Sequence, residues 1–222
     1  MIAAGCVAAC GMAGILLGGH SAAPELRQRF DLIGALQCYR HLRHMPTAQV
    51  LYLAVEGGLV LGCFAYFVAI QQARGLGGAA EAGLTVAAFG CGGLVYAAIA
   101  KVALRRFGQR RLVRLGGALC LLALMGFGFA TSAWLFIAGG LMLGVNMYLI
   151  HNMIQTRVTE LMPQARGSAV ALHAFHFFVG QTLGPVLYGL TLSQLGGAIA
   201  FPIAGACLLG LSFLLGRPSN AH

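Results

Sequence analysis

Among the ionisable side chains within, or near the ends of, long apolar segments of the 222-residue sequence, four are candidates for proton exchange: Glu56, His151, His173 and His176. A charged side chain at the centre of a bilayer costs about 2.5–3.5 kcal/mol on insertion scales, so such residues are candidates for function. Counted along helices from the basic ends of their segments, the four lie at similar depths. We therefore expect a cluster in which a carboxyl group and imidazoles exchange a proton as a cavity opens and closes.

The same residues have other interpretations. Glu56 at the start of a helix is also a residue that hydrogen-bonds near lipid headgroups, and both histidines of the His173-x-x-His176 pair are also explained by packing or by a bond to a neighbouring helix. That pair offers two imidazoles of a metal site, but ligation needs a third ligand, which only His151 or Glu56 could supply. We predict no metal and no cofactor.

Four further polar side chains on the apolar segments are candidates for hydrogen bonds to a substrate. Tyr66, Asn146 and Gln181 lie nearer the middle of their segments, whereas Asn152 lies near an end. The sequence has no serine-based catalytic motif, no HExxH and no acidic pair for a metal, so we predict that the protein is not an enzyme. A membrane-embedded enzyme that uses the histidine cluster with Glu56 is the rival from another functional class.

The composition predicts the elements that must position these side chains. Hydrophobic residues make up 59% of the chain and charged residues only 9%, against roughly 25% charged residues in ordinary soluble domains. We therefore predict an all-α, polytopic membrane helix bundle whose partner is the lipid bilayer. The net charge of +9 does not indicate nucleic acid, because the Lys and Arg residues are concentrated between the apolar runs.

About seven transmembrane helices fit the apolar runs, at 2–19, 50–71, 83–101, 112–130, 133–154, 168–192 and 198–216. The basic connections alternate with nearly uncharged ones, which by the positive-inside rule places the C-terminus in the cytoplasm. The predicted organisation has four parts. These are a transmembrane helix at 1–19, a cytoplasmic linker with an amphipathic helix at 20–49, a six-helix bundle at 50–216 and a cytoplasmic tail at 217–222.

Two short motifs carry a resemblance to a known family. The basic segment Lys101–Arg114, which we predict to be a cytoplasmic loop, resembles the cytoplasmic signature loop of major facilitator superfamily transporters, as repeated in their second half, although Arg105 replaces its aspartate. The segment Thr159–Ser168 is similar to the family's loop between helices ten and eleven, where Pro163 stops one helix and Ser168 caps the next. The signature-loop residues are Lys101, Arg105, Arg106, Gly108, Arg110 and Arg111.

Two larger features extend the resemblance. The linker before residue 50 is similar to the connection between the family's two six-helix halves. The motif Gly180-x-x-x-Gly184-Pro185-x-x-x-Gly189 resembles the glycine–proline motif that antiporters of the family carry on helix five. Its other interpretation is a kinked face for close helix packing.

The resemblance implies the C-terminal half of such a transporter, helices six to twelve, with residues 50–216 as helices seven to twelve. Helices one to five have no counterpart, so we expect either a truncated reading frame or a half-transporter that pairs with the missing N-terminal half or a second chain. The implied function is proton-coupled efflux of small organic molecules or drugs by alternating access, in a bacterial inner membrane. A sugar or metabolite uptake carrier and a non-transporting remnant are the alternatives.

Overall fold

The structure is a computed structural model that describes residues 56–163 and 165–217, together with residues 37, 39, 40, 42 and 44. The transmembrane helix predicted at 1–19 lies outside the described residues. So do most of the linker predicted at 20–49, the start of the next predicted span and nearly all of the tail.

The described residues form helices and no strand. A π-helical turn, Gly57–Leu61, and a 3₁₀ turn, Gly62–Tyr66, lead into the short helix α1. Helices α2 to α5 are each long and apolar enough to cross a bilayer, which confirms the predicted all-α membrane fold. The bounds are α1 Phe67–Ala73, α2 Ala79–Phe129, α3 Ala133–Leu161, α4 Arg166–Leu195 and α5 Gly197–Leu215.

The 51-residue helix α2 contains two predicted spans, and it breaks at Gly108, where φ is +71°. Residues 79–107 form its first arm and residues 109–129 its second. In the first arm Thr85 and Phe89 lie against Gly140 and Gly144, so this arm runs parallel to α3. In the second arm Gly116 lies beside Ile150 and Phe127 lies beside Gly139, so this arm runs antiparallel to α3. The chain therefore reverses at one glycine.

The prediction of a loop at 101–114 is wrong, because these residues are helical. The chain nevertheless reverses its direction within this segment, as the prediction implied. Its basic residues are helical and exposed on both sides of Gly108. Lys and Arg are good helix formers, and a single residue with positive φ, which glycine adopts without steric cost, is enough to turn the chain. The residues concerned are Lys101, Arg105, Arg106, Arg110, Arg111 and Arg114.

The connection between α3 and α4 also differs from the prediction. Helix α3 continues to Leu161, beyond the predicted end at residue 154, and ends before Pro163 as the sequence indicates. Helix α4 already begins at Arg166, so Ser168 lies inside it and is not its cap. A turn closed by the bond from the Ala165 N–H to the Met162 carbonyl starts this helix early.

Aromatic side chains join α1 to the rest of the bundle. The ring of Phe67 on α1 lies 4.9 Å from that of Phe127 on α2 and 5.7 Å from that of Phe136 on α3. Phe127 also contacts Phe201 on α5, with 5.9 Å between the ring centroids. All four rings are fully buried or nearly so. Because edge-to-face and offset aromatic pairs add to the burial of apolar surface, this cluster fixes the position of α1.

Arg74 explains why one basic residue stands among the predicted uncharged connections. Its guanidinium donates hydrogen bonds to the carbonyls of Phe127 and Gly128, at 2.8 and 2.9 Å. The last carbonyls of a helix have no partner within it, and a cation there also complements the helix dipole. Arg74 therefore caps the end of α2.

Candidate functional site

Glycines allow the irregular segment Gly57–Tyr66 to pack backbone to backbone on α4. A Cβ atom at Gly58 would lie 2.6 Å from the carbonyl oxygen of Gly180, and one at Gly62 would lie 2.7 Å from the carbonyl carbon of Gly184. Only residues without a side chain permit such an approach. Short π-helical and 3₁₀ stretches are frequent at functional sites and hinges. Here they follow Glu56 directly.

Two tyrosines add reciprocal bonds across the same contact. Tyr66 donates to the carbonyl of Pro185 within α4, and Tyr188 of α4 donates to the carbonyl of Leu59, each at 2.7 Å. The predicted packing motif therefore contacts the irregular segment through Gly180, Gly184 and Pro185, while Gly189 lies beside the Tyr66 hydroxyl.

Three of the four predicted ionisable residues meet in the structure, each from a different element. Glu56 Oε1 lies 3.5 Å from His151 Nδ1 on α3 and 4.0 Å from His173 Nε2 on α4. Glu56 and His173 have only 1% of their side chains exposed, and His151 has 17%. Three of the four residues that were placed at similar depths on separate helices therefore approach one another. Their role in proton coupling stays a prediction.

His176 does not join this cluster. Its Nδ1 lies 2.8 Å from the carbonyl oxygen of Leu172 on its own helix, and its ring meets Phe175 edge to face. Three residues turn an α-helix by about 300°, so the side chain is displaced by about 60° from that of His173.

The surroundings of Glu56 are unusual for a buried carboxyl group. Neither carboxylate oxygen of Glu56 accepts a hydrogen bond from any residue that the structure describes, and burying an unpaired charge is costly. The imidazoles of His151 and His173 are the potential partners that the described residues offer this carboxyl group. The ring of Phe177, 4.9 Å from that of His151, closes one side. Sequence reasoning missed Phe177, although it follows His173 by one turn.

A cavity of about 240 Å³ lies between the two arms of α2 and α3. Asn146 and Asn152 line it, and each amide donates a hydrogen bond to the carbonyl one turn earlier, at 2.7 and 2.8 Å. Tyr66 and Gln181 are not among its lining residues. Two of the four predicted substrate-binding residues therefore line this cavity, and the role of all four in substrate binding stays a prediction. Lining residues that sequence reasoning did not identify are Tyr96, Phe107 and Gln109.

Comparison with known proteins agrees with this architecture. The sequence profile described as Major Facilitator Superfamily matches residues 1–185 and, in a second alignment, residues 57–221. The chain belongs to the major facilitator superfamily. It is therefore an integral membrane protein with a helical bundle of that family.

A relative in Bacillus subtilis (strain 168), described as the uncharacterized MFS-type transporter YfkF, is 29% identical over 107 residues. The aligned stretch is 48% of this chain and 27% of the relative, so the chain matches only about a quarter of that protein's length.

Proposed function

We propose that this superfamily member is part of a secondary active transporter that exports small organic molecules in exchange for protons. Membership of the superfamily supports transport rather than catalysis. The observation that carries proton coupling is the buried contact of Glu56 with His151 and His173 from two other helices. Ionisable residues inside membrane helices commonly mark proton pathways.

The proposed coupling uses the distance between Glu56 and His151. With α3 close, Glu56 Oε1 lies 3.5 Å from His151 Nδ1. When α3 moves away, Glu56 loses its nearest imidazole, so the pair can exchange a proton as the helices move. Movement of one helix thereby loads and releases a proton, which is the exchange that alternating access requires.

The cavity beside α3 supports the proposed substrate class. Its lining is mainly apolar, with the amides of Asn146 and Asn152 among the few polar groups. Such a lining suits a largely apolar molecule with one or two hydrogen-bonding groups. The volume of about 240 Å³ is below the roughly 300–1,000 Å³ of most ligand pockets, as expected if a second helical half completes the binding site.

Orientation in the membrane follows from charge. The exposed basic residues around Gly108 favour a cytoplasmic position for this turn by the positive-inside rule. With the alternation of the spans, we propose a C-terminus in the cytoplasm and a bacterial inner membrane as the location. The partners of this chain are then a small-molecule substrate, protons, lipid and a second six-helix half.

The test is transport in proteoliposomes that contain the full chain together with the second six-helix half, with an imposed proton gradient and a panel of small fluorescent organic molecules, ethidium among them. We expect gradient-driven movement of at least one probe by the wild type. Glu56→Gln should abolish this movement and keep substrate exchange, whereas Glu160→Gln, at an exposed position on α3, should behave as wild type. Absence of transport for the whole panel, or an unchanged pH dependence in Glu56→Gln, would contradict the proposal.

A further inference from the structure

The cluster of Glu56, His151 and His173 has a geometry that an ion pair alone does not explain. Its closest approach, 3.5 Å between Glu56 Oε1 and His151 Nδ1, is longer than the roughly 2.7–2.9 Å of a charge-assisted hydrogen bond. One ligand atom from each residue nevertheless lies within 4.8 Å of the other two. Three possible ligand atoms from three different elements thus converge on a common centre.

This spacing is close to that of ligands around a tetrahedral metal ion. Bonds of about 2.0–2.2 Å place the ligands of such an ion about 3.3–3.6 Å apart. The 3.5 Å separation between Glu56 Oε1 and His151 Nδ1 fits this range. The 4.0 Å separation between Glu56 Oε1 and His173 Nε2, and any separation up to the 4.8 Å limit of the group, must shorten when the ion binds. Two imidazoles and one carboxylate are also the ligand set of several catalytic zinc sites, which keep a fourth position open.

We propose that Glu56, His151 and His173 form a binding site for one divalent transition-metal ion, of which Zn²⁺ is the best match. Imidazole and carboxylate donors suit zinc, and the ion would bind a Glu56 carboxylate whose oxygens accept no hydrogen bond from the described residues. The 17% exposure of the His151 side chain leaves a path of entry. The proposal departs from the sequence prediction of no metal, which paired His173 with His176, a residue outside the cluster.

The site has consequences that do not depend on transport. The metal requires neutral imidazoles and an ionised carboxyl group, so its binding releases protons and weakens as the pH falls. Protons and the metal then compete for the same three atoms. Metal binding without any proton-coupled transport would leave this proposal standing and contradict only the transport proposal.

The test is a Co²⁺ titration of the purified full-length chain in detergent, followed by displacement with Zn²⁺ and by calorimetry. We expect the chain to bind one equivalent of Co²⁺. The bound Co²⁺ should give visible absorption bands typical of a site with few ligands, and these bands should disappear when Zn²⁺ is added. Removing a residue that only hydrogen-bonds to a metal ligand lowers metal affinity by about 10–100-fold. Removing a ligand itself should cost more, so we expect His151→Gln, His173→Gln and Glu56→Gln each to weaken binding by about 100-fold or more.

His176→Gln is the matched control, because it removes an imidazole from the same helix outside the cluster; it should bind as wild type. Circular dichroism of each variant separates lost ligation from lost folding. The proposal is overturned if the wild type binds no stoichiometric Co²⁺, or if folded cluster variants bind as tightly as His176→Gln. A near-ultraviolet sulfur-to-cobalt band would also overturn it, since that band assigns the metal to cysteine.

Discussion

Gly184→Ala tests whether α4 is held against the irregular segment by backbone contact. The added Cβ would lie 2.5 Å from the carbonyl oxygen of Gly58 and 2.7 Å from its Cα, where ordinary contact begins at 3.4 Å. Both obstructing atoms belong to the backbone, so no side chain can rotate away. The helices must therefore separate by about 1 Å, which is the kind of overpacking that costs about 1–3 kcal/mol.

The expected change in thermal stability follows from this cost. For a chain of 150–250 residues, 1 kcal/mol lowers Tm by about 2–4 °C, so Gly184→Ala should lower it by about 2–12 °C. Thermal unfolding in detergent, followed by circular dichroism, gives the measurement. Gly126→Ala is the matched control: nothing lies within 4 Å of its added Cβ, and alanine is favoured over glycine within helices by about 0.5–1 kcal/mol.

A second readout connects this packing to the cluster. Moving α4 outward stretches the 4.0 Å separation of Glu56 and His173, so Gly184→Ala should also weaken Co²⁺ binding, while Gly126→Ala should not. If Gly184→Ala unfolds at the same temperature as Gly126→Ala and binds Co²⁺ equally well, the close approach of Gly58 to Gly184 does not hold the two elements together.

Two further substitutions test the helix end and the chain reversal. Arg74→Gln removes the charged bonds to Phe127 and Gly128 and should cost about 1.5–3 kcal/mol; a Tm equal to that of wild type would refute the capping role. Gly108→Ala should cost about 1–3 kcal/mol because φ is +71° there, a conformation that L side chains rarely adopt. Nothing lies within 4 Å of its added Cβ, so an unchanged Tm would show that the turn relaxes without strain.

The sequence was sufficient to predict the all-α membrane fold and most of the cluster. Apolar runs long enough to cross a bilayer are a strong signal, because hydrocarbon leaves the backbone no other partner than its own helix. Ionisable residues at similar depths on separate runs then predict contacts. This reasoning placed Glu56, His151 and His173 together. It failed for His176, because depth does not determine which way a side chain points around its helix.

Other features depend on contacts that periodicity does not reveal. The π-helical and 3₁₀ turns after Glu56 accommodate an approach between Gly58 and Gly184, which are far apart in sequence. The helical path of the basic residues around Gly108 depends on one backbone dihedral angle. The cavity arises where both arms of α2 face α3, and apolar lining residues such as Leu104 cannot be distinguished by type from those that face lipid.

The reciprocal tyrosines reduce the freedom of the cluster. Tyr66 and Tyr188 each tie a side chain of one element to the main chain of the other. Sliding the irregular segment along α4 would break both hydrogen bonds at once, so we expect the two elements to move as one rigid unit. Glu56 and His173 belong to this unit and would move together. Neither tyrosine bond restrains the separation between Glu56 and His151, which lies on a different helix.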